Sequence, residues 1–162
     1  MLEVCSPLSG TIIALEDVDD PVLAQGIVGS GLAVAPVEER WHDVVCPAPG
    51  KLLKVHPHAF IVFGRSGIGI LVHLGIDTVK LRGKGFEVLK AEGETVHKGE
   101  AIVRWDSAVA KEAGLSTSVS VIACDLPQEM LTLHTSPGNK IAREDHLYTV
   151  KTAKQNRRSG KL

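Results

Sequence analysis

Apolar residues along this chain come in short β-branched runs: Thr11-Ile12-Ile13, Leu32-Ala33-Val34, Phe60 to Phe63, Ile68 to Leu74, Ala101-Ile102-Val103 and Val119 to Ile122. Glycine and proline fall between them. That rhythm predicts many short antiparallel strands in a sandwich or barrel, an all-β fold with little helix. The clearest helix is predicted at Ser107 to Ala113, where Asp106 or Ser107 can cap the first turn and Gly114 can end the last. Ser6 to Ile12 and Cys46 to Leu52 look alike, each a proline turn and a glycine leading into a strand, and suggest related hairpins on one sheet. From Lys151 to Leu162 the hydrophobic period stops and Arg157-Arg158 makes the chain basic. We read residues 1–150 as one domain and residues 151–162 as a flexible tail.

A chain of 162 residues with 44% hydrophobic content can bury an adequate core without staples. Its 18 basic and 19 acidic residues leave a formal charge of -1, so no global field draws it to nucleic acid or to an anionic membrane. Cys5, Cys46 and Cys124 are odd in number and scattered, with no C-x-x-C pair, which argues against a disulfide framework and against a thiolate zinc site. The start, Met1 to Cys5, is not a secretion signal, and no apolar run approaches the roughly 20 residues of a membrane helix. The expectation is a cytoplasmic protein without direct membrane insertion.

Most of the seven histidines sit among polar neighbours; His73 does not. It lies in Ile70-Leu71-Val72-His73-Leu74-Gly75-Ile76, a run apolar on both faces, with Leu71, His73 and Gly75 on one side by alternation. A histidine there costs free energy unless it is hydrogen-bonded or functional. A core histidine satisfied by a carbonyl is the structural reading. Gly75 supports the functional one, because it removes a side chain beside the imidazole and opens it to a partner. His58 belongs to a second strand entry, His56-Pro57-His58-Ala59-Phe60-Ile61-Val62-Phe63, a neighbour of the first by its pattern. Two facing imidazoles suit either zinc ligation or phosphoryl transfer, with one nucleophile and one charge-stabilising donor. Phosphoryl transfer asks little beyond positioning and charge stabilisation.

The run Gly67-Ile68-Gly69-Ile70-Leu71-Val72-His73-Leu74-Gly75-Ile76-Asp77-Thr78-Val79 resembles the phosphorylation-site signature of the glucose-type enzyme IIA domains of the bacterial sugar phosphotransferase system. Ser6 to Gly10, Glu16 through Gly31, His58-Ala59-Phe60, Gly83 to Phe86 and Glu92 to Val96 follow in that family's order, so the resemblance spans residues 4 to 150. It implies that His73 takes a phosphoryl group from the histidine phosphocarrier protein HPr and passes it to a cysteine of the enzyme IIB domain of a sugar permease (IIB/IIC). His58 is the implied second active-site histidine. Asp20 and Asp77 match acidic positions that face basic residues of the phosphocarrier; Val22, Leu23, Ile27, Val28 and Phe60 match the apolar surround. The ordinary readings of these residues are turn capping and core. Better-known members carry a longer segment with a threonine just before His58, where this chain has His56-Pro57, which leaves the partner of His58 open. The resemblance also implies an alternative, a purely regulatory binding module, since relatives bind regulatory targets through the same face; that activity would add to phosphotransfer rather than exclude it. The sugar, glucose or N-acetylglucosamine, is not written in the carrier, and Met1 favours a separate polypeptide.

Three rivals remain. A zinc hydrolase would use His58 and His73 with Asp77 as third ligand, but there is no H-E-x-x-H. No cofactor is required by the carrier reading, although the two imidazoles leave zinc open. Glu92 to Glu100 resembles part of a biotinyl or lipoyl carrier, yet no lysine lies between methionines; a shared barrel-sandwich hybrid fold accounts for the likeness. A phosphocysteine protein would need a cation beside Cys5, Cys46 or Cys124, and none adjoins them in sequence.

Overall fold

The computed structural model describes residues 1–64 and 66–151; the predicted tail, apart from Lys151, lies outside them. In chain order the strands are β1 (Leu2–Cys5), β2 (Gly10–Ala14), β3 (Gly29–Pro36), β4 (Trp41–Val45), β5 (Gly50–His56), β6 (Ala59–Phe63), β7 (Gly69–Leu74), β8 (Phe86–Val88), β9 (Thr95–Val96), β10 (Ala101–Asp106), β11 (Val119–Cys124), β12 (Leu131–Leu133), β13 (Lys140–Ile141) and β14 (His146–Val150). Two short helices interrupt them, α1 (Pro21–Ala24) and α2 (Ser107–Glu112). The fold is an antiparallel β-sandwich. One sheet has eight strands in the order β13-β2-β3-β11-β7-β6-β5-β9; two three-stranded sheets, β1-β14-β12 and β4-β10-β8, complete it.

Helix α2 forms where its caps predict it. The Asp106 carboxylate accepts from the Ala108 N–H, and Gly114 follows the last turn at φ 75°. The two similar segments lead into β2 and β5 of the large sheet, and their turns bond to each other: Cys5 N–H to the Pro47 carbonyl and Val45 N–H to the Pro7 carbonyl, both at 2.9 Å. Gly10 and Gly50 open these strands because a Cβ there would stand 2.0 Å from the Ala35 oxygen and 2.5 Å from the Phe63 oxygen. No helix among the described residues is long and apolar enough to cross a membrane.

The large sheet has an inner and an outer face. Inward go Ile70, Val72 and Leu74 of β7, Phe60 and Val62 of β6 and Val119, Val121 and Ala123 of β11, all in the main core. Burying the three β7 side chains stabilises the fold by about 1.5–3 kcal/mol each, which fixes the orientation of that strand. Its alternate residues, Leu71 and His73, must then face outward. The outer face is partly covered by residues 15–28, whose Leu15, Val18 and Leu23 pack with Ala33, Ile76 and Ile122 in a second cluster.

Candidate active site

His73 is half-buried near the end of β7, flanked in register by Ala59 on β6 and Ser120 on β11. Beyond Leu74 the chain turns sharply. Gly75 has φ 78°, and its carbonyl lies 2.7 Å from Nδ1 of His73. A carbonyl only accepts, so Nδ1 carries the proton and the lone pair of the neutral ring resides on Nε2. The turn is held by Thr78 Oγ1–H donating to the Leu74 carbonyl at 2.6 Å, and by the Gly75 and Ile76 N–H groups donating to the Ser118 and Ser116 carbonyls at 3.0 Å. Gly75 therefore serves differently from the sequence-based expectation of access for a partner. It is buried, and a Cβ would stand 2.6 Å from Thr78 Cγ2 and 2.9 Å from the Ser116 oxygen. Its lack of a side chain aims a carbonyl at the imidazole.

His58 sits in the tight turn from β5 to β6, and its carbonyl accepts from the Leu74 N–H at 2.7 Å, clamping that turn to the end of β7. The His58 and His73 rings meet edge to face with centroids 5.3 Å apart. Burial, then the neighbouring His73 and then His56, lower the His58 pKa below the ordinary imidazole value. The ring of His58 is thus neutral at pH 7, with one N–H to give. His56, which precedes Pro57, is exposed to solvent, and its ring stacks on that of His58 with centroids 5.9 Å apart.

Asp20 is the N-cap of α1, its Oδ1 accepting from Val22 and Leu23 N–H groups at 2.9 and 3.3 Å, and Pro21 starts the helix. In the capped turn Val22 is 50% exposed while the next residue, Leu23, is buried. Ile27 is 65% exposed, while Val28 packs partly buried against the outer cluster. Asp77 is exposed in the left-handed region at φ 60°, at the entry to a 3-10 turn, and stands 3.9 Å from Lys80. Phe60 is placed differently from the expectation that it lines the surround. Ala59 is the register partner of His73, so the next residue points to the other face, and Phe60 is 0% exposed in the main core. Sequence reasoning missed Val79, 60% exposed, and Ser120, fully buried beside His73 with a hydroxyl that has no partner among the described residues. Only the β7–β11 register reveals Ser120.

Chemically the pair offers a nucleophilic nitrogen with a fixed tautomer and an N–H donor beside it. As a metal site it is incomplete: among the described residues no three His, Cys, Asp or Glu side chains are grouped to hold an ion. The thiols lie apart from it in chemistry. Cys5 and Cys46 are buried, and burial raises all three pKa values, that of Cys46 to about 11.

Comparison with known proteins gives a consistent picture. A family profile described as "phosphoenolpyruvate-dependent sugar phosphotransferase system, EIIA 1" matches residues 2–129. The chain is 34% identical over 150 residues to the PTS system glucose-specific EIIA component of Halalkalibacterium halodurans, covering 91% of this chain and 85% of that one. It is 37% identical over 149 residues to the PTS system N-acetylglucosamine-specific EIICBA component of Klebsiella pneumoniae, covering 90% of this chain but 22% of that larger protein. Among solved structures, the glucose permease IIA from Mycoplasma capricolum superposes with a TM-score of 0.76 at 32% identity, covering 91% of this chain and 94% of that one.

Proposed function

The chain belongs to the EIIA 1 family of the phosphoenolpyruvate-dependent sugar phosphotransferase system, and from that membership we propose that it carries the phosphoryl group on Nε2 of His73, taking it from HPr in the cytoplasm and giving it to a cysteine of enzyme IIB. The observation that carries this reading is the 2.7 Å bond from His73 Nδ1 to the Gly75 carbonyl, which leaves Nε2 as the nucleophile.

In the first half-reaction the Nε2 lone pair attacks phosphorus, a P–N bond forms, and the P–N bond to the donor histidine breaks with its electron pair left on the donor nitrogen. The negative charge is spread over the equatorial oxygens. His58, neutral because of burial and its neighbours, donates an N–H to one of them. The second half is the same displacement with a cysteine thiolate as nucleophile and His73 as leaving group. Nδ1–H to Gly75 oxygen then favours departure, since the carbonyl dipole stabilises the imidazole in the tautomer it needs.

For the hydrolase alternative the described residues group no third ligand with the two imidazoles, and Asp77 stands 3.9 Å from Lys80. Zinc shared by His58 and His73 would draw its remaining donors from outside the chain.

The test is reconstitution with enzyme I, HPr and radiolabelled phosphoenolpyruvate, followed by phosphosite mapping. The chain should acquire acid-labile, base-stable phosphate on His73; His73→Ala should take none, and His58→Gln should take it but pass it on slowly. Base-stable label retained by His73→Ala would end the assignment.

A further inference from the structure

Resting on the phosphocarrier reading, we infer that Ser120 is a second hydrogen-bond donor to the phosphoryl group on His73, placed on the side away from His58, and that its hydroxyl is satisfied only when that group is present.

The placement follows from the pleat. Val119 and Val121 of β11 enter the main core, so Ser120 between them faces outward, the face on which β7 carries His73. The register makes Ser120 and His73 direct partners, with Ala59 of β6 beyond His73 and Ala33 of β3 beyond Ser120. One row across neighbouring strands therefore reads Ala59, His73, Ser120, Ala33. His58 precedes Ala59 and stands on one side of the imidazole; Ser120 stands on the other. Direct partners on one face hold their Cβ atoms about 4.5–5.5 Å apart. A phosphoryl group on Nε2 extends beyond the ring, and a hydroxyl bonds to a charged oxygen at about 2.5–2.7 Å, so a donor on the adjacent strand is within its reach. His73 is half-buried and Ser120 is buried, so the hydroxyl meets the flank of the group that faces the sheet.

The unphosphorylated protein gains nothing from this hydroxyl. Ser6, Thr78, Ser120 and Tyr148 are the described hydroxyl residues that are 0% exposed. Ser6 donates to the Leu8 carbonyl at 2.6 Å, Thr78 to the Leu74 carbonyl at 2.6 Å and Tyr148 to the Val121 carbonyl at 2.8 Å. Ser120 Oγ has no partner among the described residues, and Nδ1 of its neighbour is committed to the Gly75 carbonyl. Its other neighbours are apolar: Ala33 and Ile122 belong to the outer cluster with Leu23 and Ile76. A hydroxyl buried without a partner destabilises, and an alanine would suit these surroundings without that cost. Phosphorylation of His73 supplies the partner, because it brings acceptor oxygens and negative charge into the row. In so apolar a setting a fixed neutral donor acts on that charge more strongly than it would in water. Ser120 keeps its proton throughout and takes no part in making or breaking the P–N bond. With His58 on the opposite side, it favours the phosphorylated carrier over the empty one.

The test brings the full chain to equilibrium with HPr labelled with 32P, for the parent, Ser120→Ala and Ser120→Cys. Cysteine keeps nearly the same shape but is a weak donor. Loss of one bond to a charged group should shift the equilibrium about tenfold toward phosphorylated HPr in Ser120→Ala, with Ser120→Cys between it and the parent. Urea unfolding of both forms gives a readout that a merely structural role would not move. Unphosphorylated Ser120→Ala should be at least as stable as the unphosphorylated parent, phosphorylated Ser120→Ala less stable than the phosphorylated parent, and the 31P resonance of the phosphohistidine should differ between the two. An equilibrium within about twofold of the parent in both variants, or equal destabilisation of the phosphorylated and unphosphorylated forms of Ser120→Ala, would overturn the inference while leaving His73 as carrier. Failure of the parent chain to take label from HPr would remove the carrier reading, and the inference with it.

Discussion

Replacing Gly75 with alanine tests whether one turn governs both the stability of this fold and the state of His73. The backbone at Gly75 has φ 78°, where an L-residue costs about 1–2 kcal/mol. The new methyl would also stand 2.6 Å from Thr78 Cγ2 and 2.9 Å from the Ser116 oxygen, so the turn must move. Relief stretches either the bond from Thr78 Oγ1 to the Leu74 carbonyl, 2.6 Å, or the bond from Ile76 N–H to the Ser116 carbonyl, 3.0 Å. Each is worth about 1 kcal/mol net. The total is roughly 2–3 kcal/mol, a fall in Tm of about 4–12 °C for a domain of this size. Urea unfolding of the parent and Gly75→Ala measures the first part. The second part is chemical. Movement of the Gly75 carbonyl releases Nδ1, and 15N spectra of His73 should pass from one tautomer to a mixture, with phosphorylation by HPr slowed about tenfold, equivalent to the loss of one such tether. A variant that loses less than about 0.5 kcal/mol and keeps the Nδ1 proton would refute the reasoning.

His42 is buried with Nε2 3.1 Å from Ser107 Oγ, and burial lowers its pKa; the unfolded chain therefore binds the proton more readily. Stability should be fully present above the ordinary histidine pKa of about 6.5 and decline as pH falls below it, and a His42→Gln variant that melts with the same slope between pH 8 and 5 would contradict this. Asp106 caps α2 and accepts two bonds from Arg40 Nε at 2.9 and 3.0 Å, so Asp106→Ala should cost at least the roughly 1–2 kcal/mol of the cap in a denaturant titration. Cys46, with its pKa pushed to about 11, should resist iodoacetamide at pH 8 in the native protein and react on unfolding, and replacing Cys5, Cys46 and Cys124 together with alanine should leave His73 phosphorylation within a fewfold of the parent. A folded triple variant that takes no phosphate would contradict the single-histidine carrier.

The parts of this structure that announce themselves in the sequence are those decided locally. α2 shows because its cap, its short apolar pattern and its terminal glycine lie within nine residues, Asp106 to Gly114. The strands show through β-branched runs, and His73 through its conflict with the run that contains it. Helix α1 does not show, because four residues, Pro21–Ala24, are too few for a helical period; only Asp20-Pro21 marks its start. Phe60 was misplaced for a different reason. Ala59-Phe60-Ile61-Val62-Phe63 is apolar at both parities, so alternation within it cannot say which face is the core, and the register with β7 decides.

On the carrier reading proposed above, His73 would face opposing demands, and its position would reconcile them through the two faces of one strand. The group must hold its phosphoryl against water yet release it to a protein nucleophile. Full burial would meet the first demand and defeat the second; full exposure would do the reverse. On β7 the inward residues Ile70, Val72 and Leu74 are all 0% exposed, which anchors the strand in the core. Control passes to what surrounds the outward ring. Val22, Ile27 and Val79 are 50–65% exposed, apolar surface that a docking protein would cover on this reading. When a protein docks there, water is displaced from the ring and the field of the His58 donor strengthens in the lowered dielectric. Between encounters the same rim is open, and the phosphoryl group depends on the fixed ring alone. On that reading, selectivity for protein nucleophiles over water would reside in contact area that only a protein can supply.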